Sequence, residues 1–308
     1  MKSIMYHYVR EYDEKHPNFR FLDIENFRRQ LDYFDKKYGF VEYEEWQSYV
    51  SNGKMPKLDG KVFLTFDDAL SCHFDFVFPE LVKRGLWGIF YVPTSPYIDN
   101  KMLDVHRIHL LCGAVDGAEL FSEAMKQVDL DMIPDAKRKE FHEQTYTNQT
   151  NYKGVSEFKR LLNYFIDYEH RTNFIDVLSK IFDYEFSVSS FYVEEFQLKQ
   201  MKDAGMLFGS HTNTHPVMSK LNKDEQTLEI SRSFEFLDSL GLFDQKTYCH
   251  PYGGFHTFDD NTISILDSEN VAYSFNVEYR DITPNDIKTN RQSLPRFDCN
   301  LFEHGQAS

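Results

Sequence analysis

The chain is 308 residues long, with 41% hydrophobic and 27% charged residues, an ordinary globular balance with room for a sizeable core. Its formal net charge of −15 provides no basic face for phosphate backbones, which argues against a nucleic-acid partner and against adhesion to an anionic membrane surface. The four cysteines, Cys72, Cys112, Cys249 and Cys299, are scattered, so neither a disulfide framework nor a cysteine-based zinc site is indicated.

The first residues, Met1-Lys2-Ser3-Ile4-Met5-Tyr6-His7, lack the apolar length of a signal peptide, and no run elsewhere approaches a bilayer span. The expectation is a cytoplasmic protein with no membrane insertion. Aromatic residues are abundant, with 29 Phe and 19 Tyr, which predicts a thick core.

Taken in chain order, Ile4–Val9 is the first β-like run. Glu25–Lys37 follows, with Phe27, Leu31 and Phe34 at helical spacing. Val62–Phe66 and Leu86–Val92 read as the next strands. From Lys101 to Ser190 helical repeats replace strands: Val155, Phe158, Leu161, Leu162, Phe165 and Ile166 form one apolar face, and Phe174, Val177, Leu178 and Ile181 another. Asp116-Gly117, Pro134 and Asn151-Tyr152-Lys153-Gly154 punctuate this stretch. Glu194–Ala204 is helical through Phe196, Leu198 and Met201, and Gly205 stops it. Leu207–Ser210 is a strand. Glu225–Leu240 is a helix with Leu228, Ile230, Phe234 and Leu237 as its buried stripe, and Thr247–His250, Val271–Asn276 and Ser293–Phe297 complete the strands. Short apolar strands alternating with helices predict an α/β fold with a mostly parallel sheet, open or closed into a barrel. Residues 1–100 and 191–308 would build it. Residues 101–190 read as a helical insertion whose apolar faces must be buried, as a lid or in a homo-oligomer contact.

Chemistry enters at two strand ends. Thr65-Phe66-Asp67-Asp68 closes one strand with adjacent carboxylates, and Ser210-His211-Thr212-Asn213-Thr214-His215-Pro216 follows another. Adjacent acids alone read as a helix cap or a turn, and an isolated pair of histidines four apart reads as surface residues. Together they are the parts needed to hold one divalent metal with a general base beside it. A zinc protease would need Glu directly after the first His; Thr212 stands there, which excludes that class. A chain leaving a strand sends alternate side chains to opposite faces, so one carboxylate can bind metal while its neighbour faces water. The carboxyl ends of barrel strands are where such groups gather.

These residues resemble the polysaccharide deacetylases, the NodB-type carbohydrate esterases. Thr65 to Asp68 matches the family's first motif, T-F/Y-D-D. His211 to His215 matches the second, H-x-x-T-H, and Pro251-Tyr252-Gly253 the third. The opening Met5-Tyr6-His7-Tyr8-Val9, the lead-in Ala204 to Ser210, and Leu294-Pro295-Arg296 agree as well. The resemblance covers about residues 1–100 and 195–300. It implies a distorted (β/α) barrel of the NodB deacetylase type with a large helical insertion. It also implies a divalent ion, zinc by preference for an N/N/O donor set, held by Asp68, His211 and His215. Asp67 becomes the general base, and the backbone N–H of Tyr252 a donor to the oxyanion.

The chain departs from the family pattern in two places. The Arg expected two residues before the third-motif Pro is Cys249, and the late L-x-H that supplies the acid is replaced by Leu294-Pro295-Arg296-Phe297-Asp298. His250, His256 and His106 are the candidates for the acid, the last beside His109 at the mouth of the insertion. Arg296 is a candidate to orient the base or bind substrate. The expected activity is removal of an N-acetyl group from a sugar, an intermediate of surface-glycan synthesis such as a sugar nucleotide or lipid-linked sugar. The alternatives are an O-deacetylase or cyclic-amide hydrolase on the same site, and a catalytically retired sugar-binding barrel.

Overall fold

The computed structural model describes residues 1–54, 60–147 and 154–307. They divide into two compact units, one of residues 1–11, 21–101 and 188–308, the other of residues 12–20 and 102–187.

Seven parallel strands organise the first unit: β1 (Lys2–Tyr6), β2 (Val62–Asp67), β3 (Gly88–Val92), β4 (Leu207–Ser210), β5 (Thr247–Cys249), β6 (Tyr273–Phe275) and β7 (Phe297–Asp298). Their spatial order is β6-β5-β4-β3-β2-β1-β7. Every residue of β2, β3 and β4 is buried, as expected for parallel strands covered on both faces. Gly209 lets β4 approach β3: a Cβ there would lie 2.4 Å from Tyr91 Cε1. The last segment makes ladder bonds at both edges of the curled sheet. Leu294 exchanges bonds with β6 through Leu294 N to Ser274 O (2.8 Å) and Asn276 N to Leu294 O (2.9 Å), and Phe297 and Asp298 pair with Ile4 and Met5 of β1. The segment 294–298 therefore makes ladder bonds at both edges, although only Phe297–Asp298 of it is a strand.

Several expectations shift. The run Ile4–Val9 breaks after Tyr6, and Val9–Arg10 pairs separately with Leu22–Asp23. Arg291–Ser293 is a 3₁₀ turn, so the final strand begins later, at Phe297. The helix Lys223–Ser239 buries Ile230, Phe234 and Leu237, but Leu228 is 63% exposed. Residues two positions apart on an α-helix are separated by about 200°, so Leu228 and Ile230 cannot share one face. Phe196 on Glu195–Asp203 is likewise exposed.

The second unit is helical among its described residues, with Asp104–Ala114, Gly117–Gln127, Asp135–Thr147, Val155–Arg160 and Tyr168–Ile181 as its α-helices. Asp116 caps its helix by accepting from the backbone N–H of Ala118 and Glu119. Ile108, Leu111, Leu120, Phe158, Leu162 and Ile175 lie in its core, whereas Val177 and Ile181 face outward. Residues 12–20 join this unit; Asn18 N donates to Gly113 O at 2.9 Å. Asn151, Tyr152 and Lys153, read as a punctuation point, lie outside the described residues.

Candidate active site

The carboxyl end of β2 carries two acids that face different partners. Asp67, in the strand, meets Arg296 in a bidentate pair, with Nη1 to Oδ1 and Nη2 to Oδ2 both 2.7 Å. Arg296 also donates to Thr65 Oγ1 (3.2 Å) and to Cys249 Sγ (3.0 Å), and the Cys249 thiol lies 3.6 Å from Asp67 Oδ2. Burial raises the Asp67 pKa, but the Arg296 charge outweighs it and holds the carboxyl at about 2. Burial also pushes the Cys249 thiol well up, so it stays protonated beside the ion pair.

Asp68 leaves the strand with φ 82°, its N–H donating to Tyr91 O at 2.9 Å. That turn carries Oδ1 to within 3.6 Å of His211 Nε2 and 3.7 Å of His215 Nε2. The histidines lie on the loop after β4, which is braced on three sides. His211 N bonds to Val92 O, Thr94 Oγ1 donates to Asn213 Oδ1, and Glu229 accepts from the N–H of Asn213 and Thr214 and from Thr214 Oγ1. Thr212 and His215 both take positive φ, 67° and 59°. With Asp68, Ala69 and Tyr252, these left-handed non-glycine residues concentrate backbone strain around one cluster, the pattern expected of a site whose geometry is enforced by its surroundings.

The donor set fits a divalent ion. His211 Nδ1 lies 2.8 Å from Cys249 O, which fixes the proton there and leaves the lone pair on Nε2. The two Nε2 atoms are 3.2 Å apart. A point equidistant from them and Asp68 Oδ1 is about 2.0 Å from each, the bond length of zinc and its first-row neighbours to nitrogen and oxygen. Asp67, His211 and Cys249 also converge, but there both carboxylate oxygens are taken by Arg296 and the thiol is protonated.

The other anticipated residues divide. Tyr252, at φ 63°, sets its ring 4.8 Å from that of His215. His250 turns away: its ring stacks on Phe258 at 3.8 Å, and Nε2 donates to Gln292 O at 2.8 Å. Burial pushes its pKa down to about 3. It is a core residue, and the placement as catalytic acid is corrected accordingly. His256 is exposed on the loop after β5. His106 belongs to the second unit, buried in Asp104–Ala114 with its ring 6.4 Å from that of His109. Sequence reasoning missed His7: its Nε2 is 3.9 Å from Asp67 Oδ2, and its side chain is 42% exposed. Its place just beyond a strand end, in the opening Met5–Val9 run, was the available signal.

Residues 159–274, which contain both histidines and Pro251-Tyr252-Gly253, match the family model described as polysaccharide deacetylase. That segment resembles the polysaccharide deacetylases in sequence. Its fold is similar to that of the Streptococcus pyogenes deacetylase PplD, solved in complex with acetate, at 18% identity and TM-score 0.58, covering 97% of this chain and 91% of that one. It is also similar to IcaB from Ammonifex degensii (17%, TM-score 0.52, 96% and 90% covered) and to a de-N-acetylase from Aggregatibacter actinomycetemcomitans (13%, TM-score 0.51, 96% and 93%). No curated protein matches in sequence. This polysaccharide deacetylase fold is the parallel curled sheet of the NodB type. Among its described residues no helix is long and apolar enough to cross a membrane.

Proposed function

We propose that this chain is a metal-dependent hydrolase that removes the N-acetyl group from a sugar of a surface-glycan pathway. The observation that carries this reading is the Asp68–His211–His215 triangle beside an ionised, arginine-held Asp67. Those three residues would hold the ion, zinc by donor set, and a bound divalent ion supplies Lewis acidity toward a carbonyl oxygen and a water. Asp67 is ionised at neutral pH and accepts the proton of the attacking water. Arg296 keeps both its oxygens fixed, so no reorganisation is needed as the proton arrives. The backbone N–H of Tyr252 is the assigned donor to the oxyanion. His7, exposed and beside Asp67, is the group suited to return a proton to the leaving amine.

The retired-barrel alternative drew on Cys249 standing where the family has Arg and on the absence of the late L-x-H acid. In this chain the guanidinium comes to the same carboxylate from Arg296, which supports an active centre.

The test is acetate release from a panel of N-acetylated sugar nucleotides and chito-oligosaccharides by metal-reconstituted protein. Wild type should release acetate, and Asp67→Asn should keep its metal and release none. Retained turnover in Asp67→Asn would overturn the assigned base. Silence of a metal-loaded wild type across the panel would overturn the deacetylase reading.

A further inference from the structure

The carbonyl of His7 lies between two ladders. β1 ends at Tyr6, in register with Phe66 of β2, and the chain resumes pairing at Val9–Arg10 beside Leu22–Asp23. Tyr8 O accepts from Leu22 N at 2.9 Å, whereas His7 O accepts from a side chain: His73 Nε2 donates to it at 2.7 Å. A backbone carbonyl withdrawn from a ladder needs such a partner, because an acceptor left unmade costs its full desolvation.

His73 is held firmly in place. It is buried, with its ring 5.7 Å from that of Phe66 on β2 and 5.8 Å from that of Phe90 on β3, both edge-on. It opens a π-helical turn, His73–Val77, which Phe78 N closes on His73 O, and the helix Phe78–Arg84 follows. Single π-turns of this kind are common at functional sites. His73 N is tied back to Leu70 O at 2.8 Å. Burial pushes the pKa of the ring down to about 4, so at neutral pH it is uncharged and carries one proton, which the carbonyl places on Nε2. Nδ1 is then a buried acceptor without a hydrogen-bond partner. For packing alone an apolar side chain would serve better, since a stranded nitrogen costs about 1–3 kcal/mol. What the imidazole gains in return is the His7 carbonyl.

The direction of that carbonyl fixes the peptide plane after His7. With it is fixed the Cα–Cβ bond from which the ring reaches Asp67, Nε2 lying 3.9 Å from Oδ2. We propose that His73 is a positioning residue: by holding the His7 carbonyl, it aims the exposed His7 imidazole at Asp67 and at the leaving group. This rests on the reading of His7 as the group that returns a proton to the amine. His73 itself touches no substrate and acts through one backbone oxygen. An exposed side chain has several rotamers, and a fixed backbone that excludes some of them leaves the productive one more populated.

The experiment compares acetate release from chito-oligosaccharides by metal-loaded wild type, His73→Phe and His73→Gln. Phe fills the space without a donor; the Gln amide nitrogen reaches the carbonyl as Nε2 does. His73→Phe should lower kcat about 10–10²-fold with KM and metal content unchanged, and His73→Gln should restore most of it. In a His7→Gln background His73→Phe should cost nothing further, and an equal loss in both backgrounds overturns the proposal. A readout independent of turnover is the His7 ring resonance in histidine-labelled protein, identified by its loss in His7→Gln. It should move in His73→Phe and return in His73→Gln; an unmoved resonance overturns the proposal. If His73→Phe does not fold, His73→Asn, whose donor stops short at the level of Nδ1, replaces it. A displaced resonance in a protein that releases no acetate, or whose His7→Gln variant turns over fully, would uphold the placement and overturn the chemistry assigned to His7, so the two failures are distinguishable.

Discussion

Arg296 grips Asp67 through both carboxylate oxygens at 2.7 Å, with 1% and 2% of the two side chains exposed. A pair this deeply buried is stable only as a pair, because either partner alone is a charge without solvent. Arg296→Met should therefore cost about 3–5 kcal/mol of folding stability and raise the Asp67 pKa. Arg296→Lys, which lacks the planar fork, should recover part of the stability but little of the turnover. Denaturant titration and the acid limb of the acetate-release profile check both. An unchanged acid limb in Arg296→Met would remove Arg296 from the control of the base.

His215→Ala takes one corner from the Asp68–His211–His215 triangle. Metal content should fall from about one ion per chain toward zero at low micromolar metal, measured by elemental analysis after desalting. Stoichiometry equal to wild type would take His215 off the ligand list.

His7 is close to Asp67 yet exposed, the combination a proton donor to a leaving group requires. His7→Gln should lower kcat by about 10²–10⁴-fold with metal content unchanged. A loss of metal in that variant, or a kcat equal to wild type, would point to a different acid.

His250 gives a pH dependence of stability. Burial holds its folded pKa at about 3 against an ordinary 6.5, with the Gln292 carbonyl only partly opposing it. Between those values the unfolded chain binds a proton that the folded chain refuses. The contribution is therefore complete above about 6.5 and is lost progressively as pH falls toward 3. His73, pushed down to about 4 by burial, acts with the same sign. His250→Phe should flatten the slope of unfolding free energy against pH in this window, while costing about 1–3 kcal/mol at neutral pH for the stranded Gln292 carbonyl. The same slope in wild type and variant would show that the ring does not resist protonation.

The parts of the fold that could be read from sequence were those in which one signal sufficed. Val62–Phe66 and Leu207–Ser210 are short apolar runs ended by polar residues, and buried parallel strands have that composition. The carboxylates and the two histidines were legible because close spacing within one segment announced them. His7 and Arg296 have no such neighbour. His7 acquires its place only when β1 is laid beside the strand bearing Asp67, and Arg296, a candidate from sequence without a fixed role, only when the chain before β7 is carried round to the same carboxylate; both are properties of pairing order, not of local pattern. Leu228 shows the opposite failure: apolar composition was read as burial although its angular position on the helix forbids a face shared with Ile230. His250 shows a third, since the alternation that points Cys249 at Asp67 necessarily points the next side chain elsewhere.

The segment that joins both sheet edges has a consequence for how the protein comes into being. Asp67 precedes its guanidinium by 229 positions, and that guanidinium sits between the residue pairing with β6 and the residues pairing with β1. During synthesis both carboxylates and both imidazoles emerge from the ribosome while the counter-charge is still untranslated. A chain stopped short of Arg296 would present the Asp68–His211–His215 triangle with Asp67 still lacking its partner, so this buried ion pair closes late in synthesis.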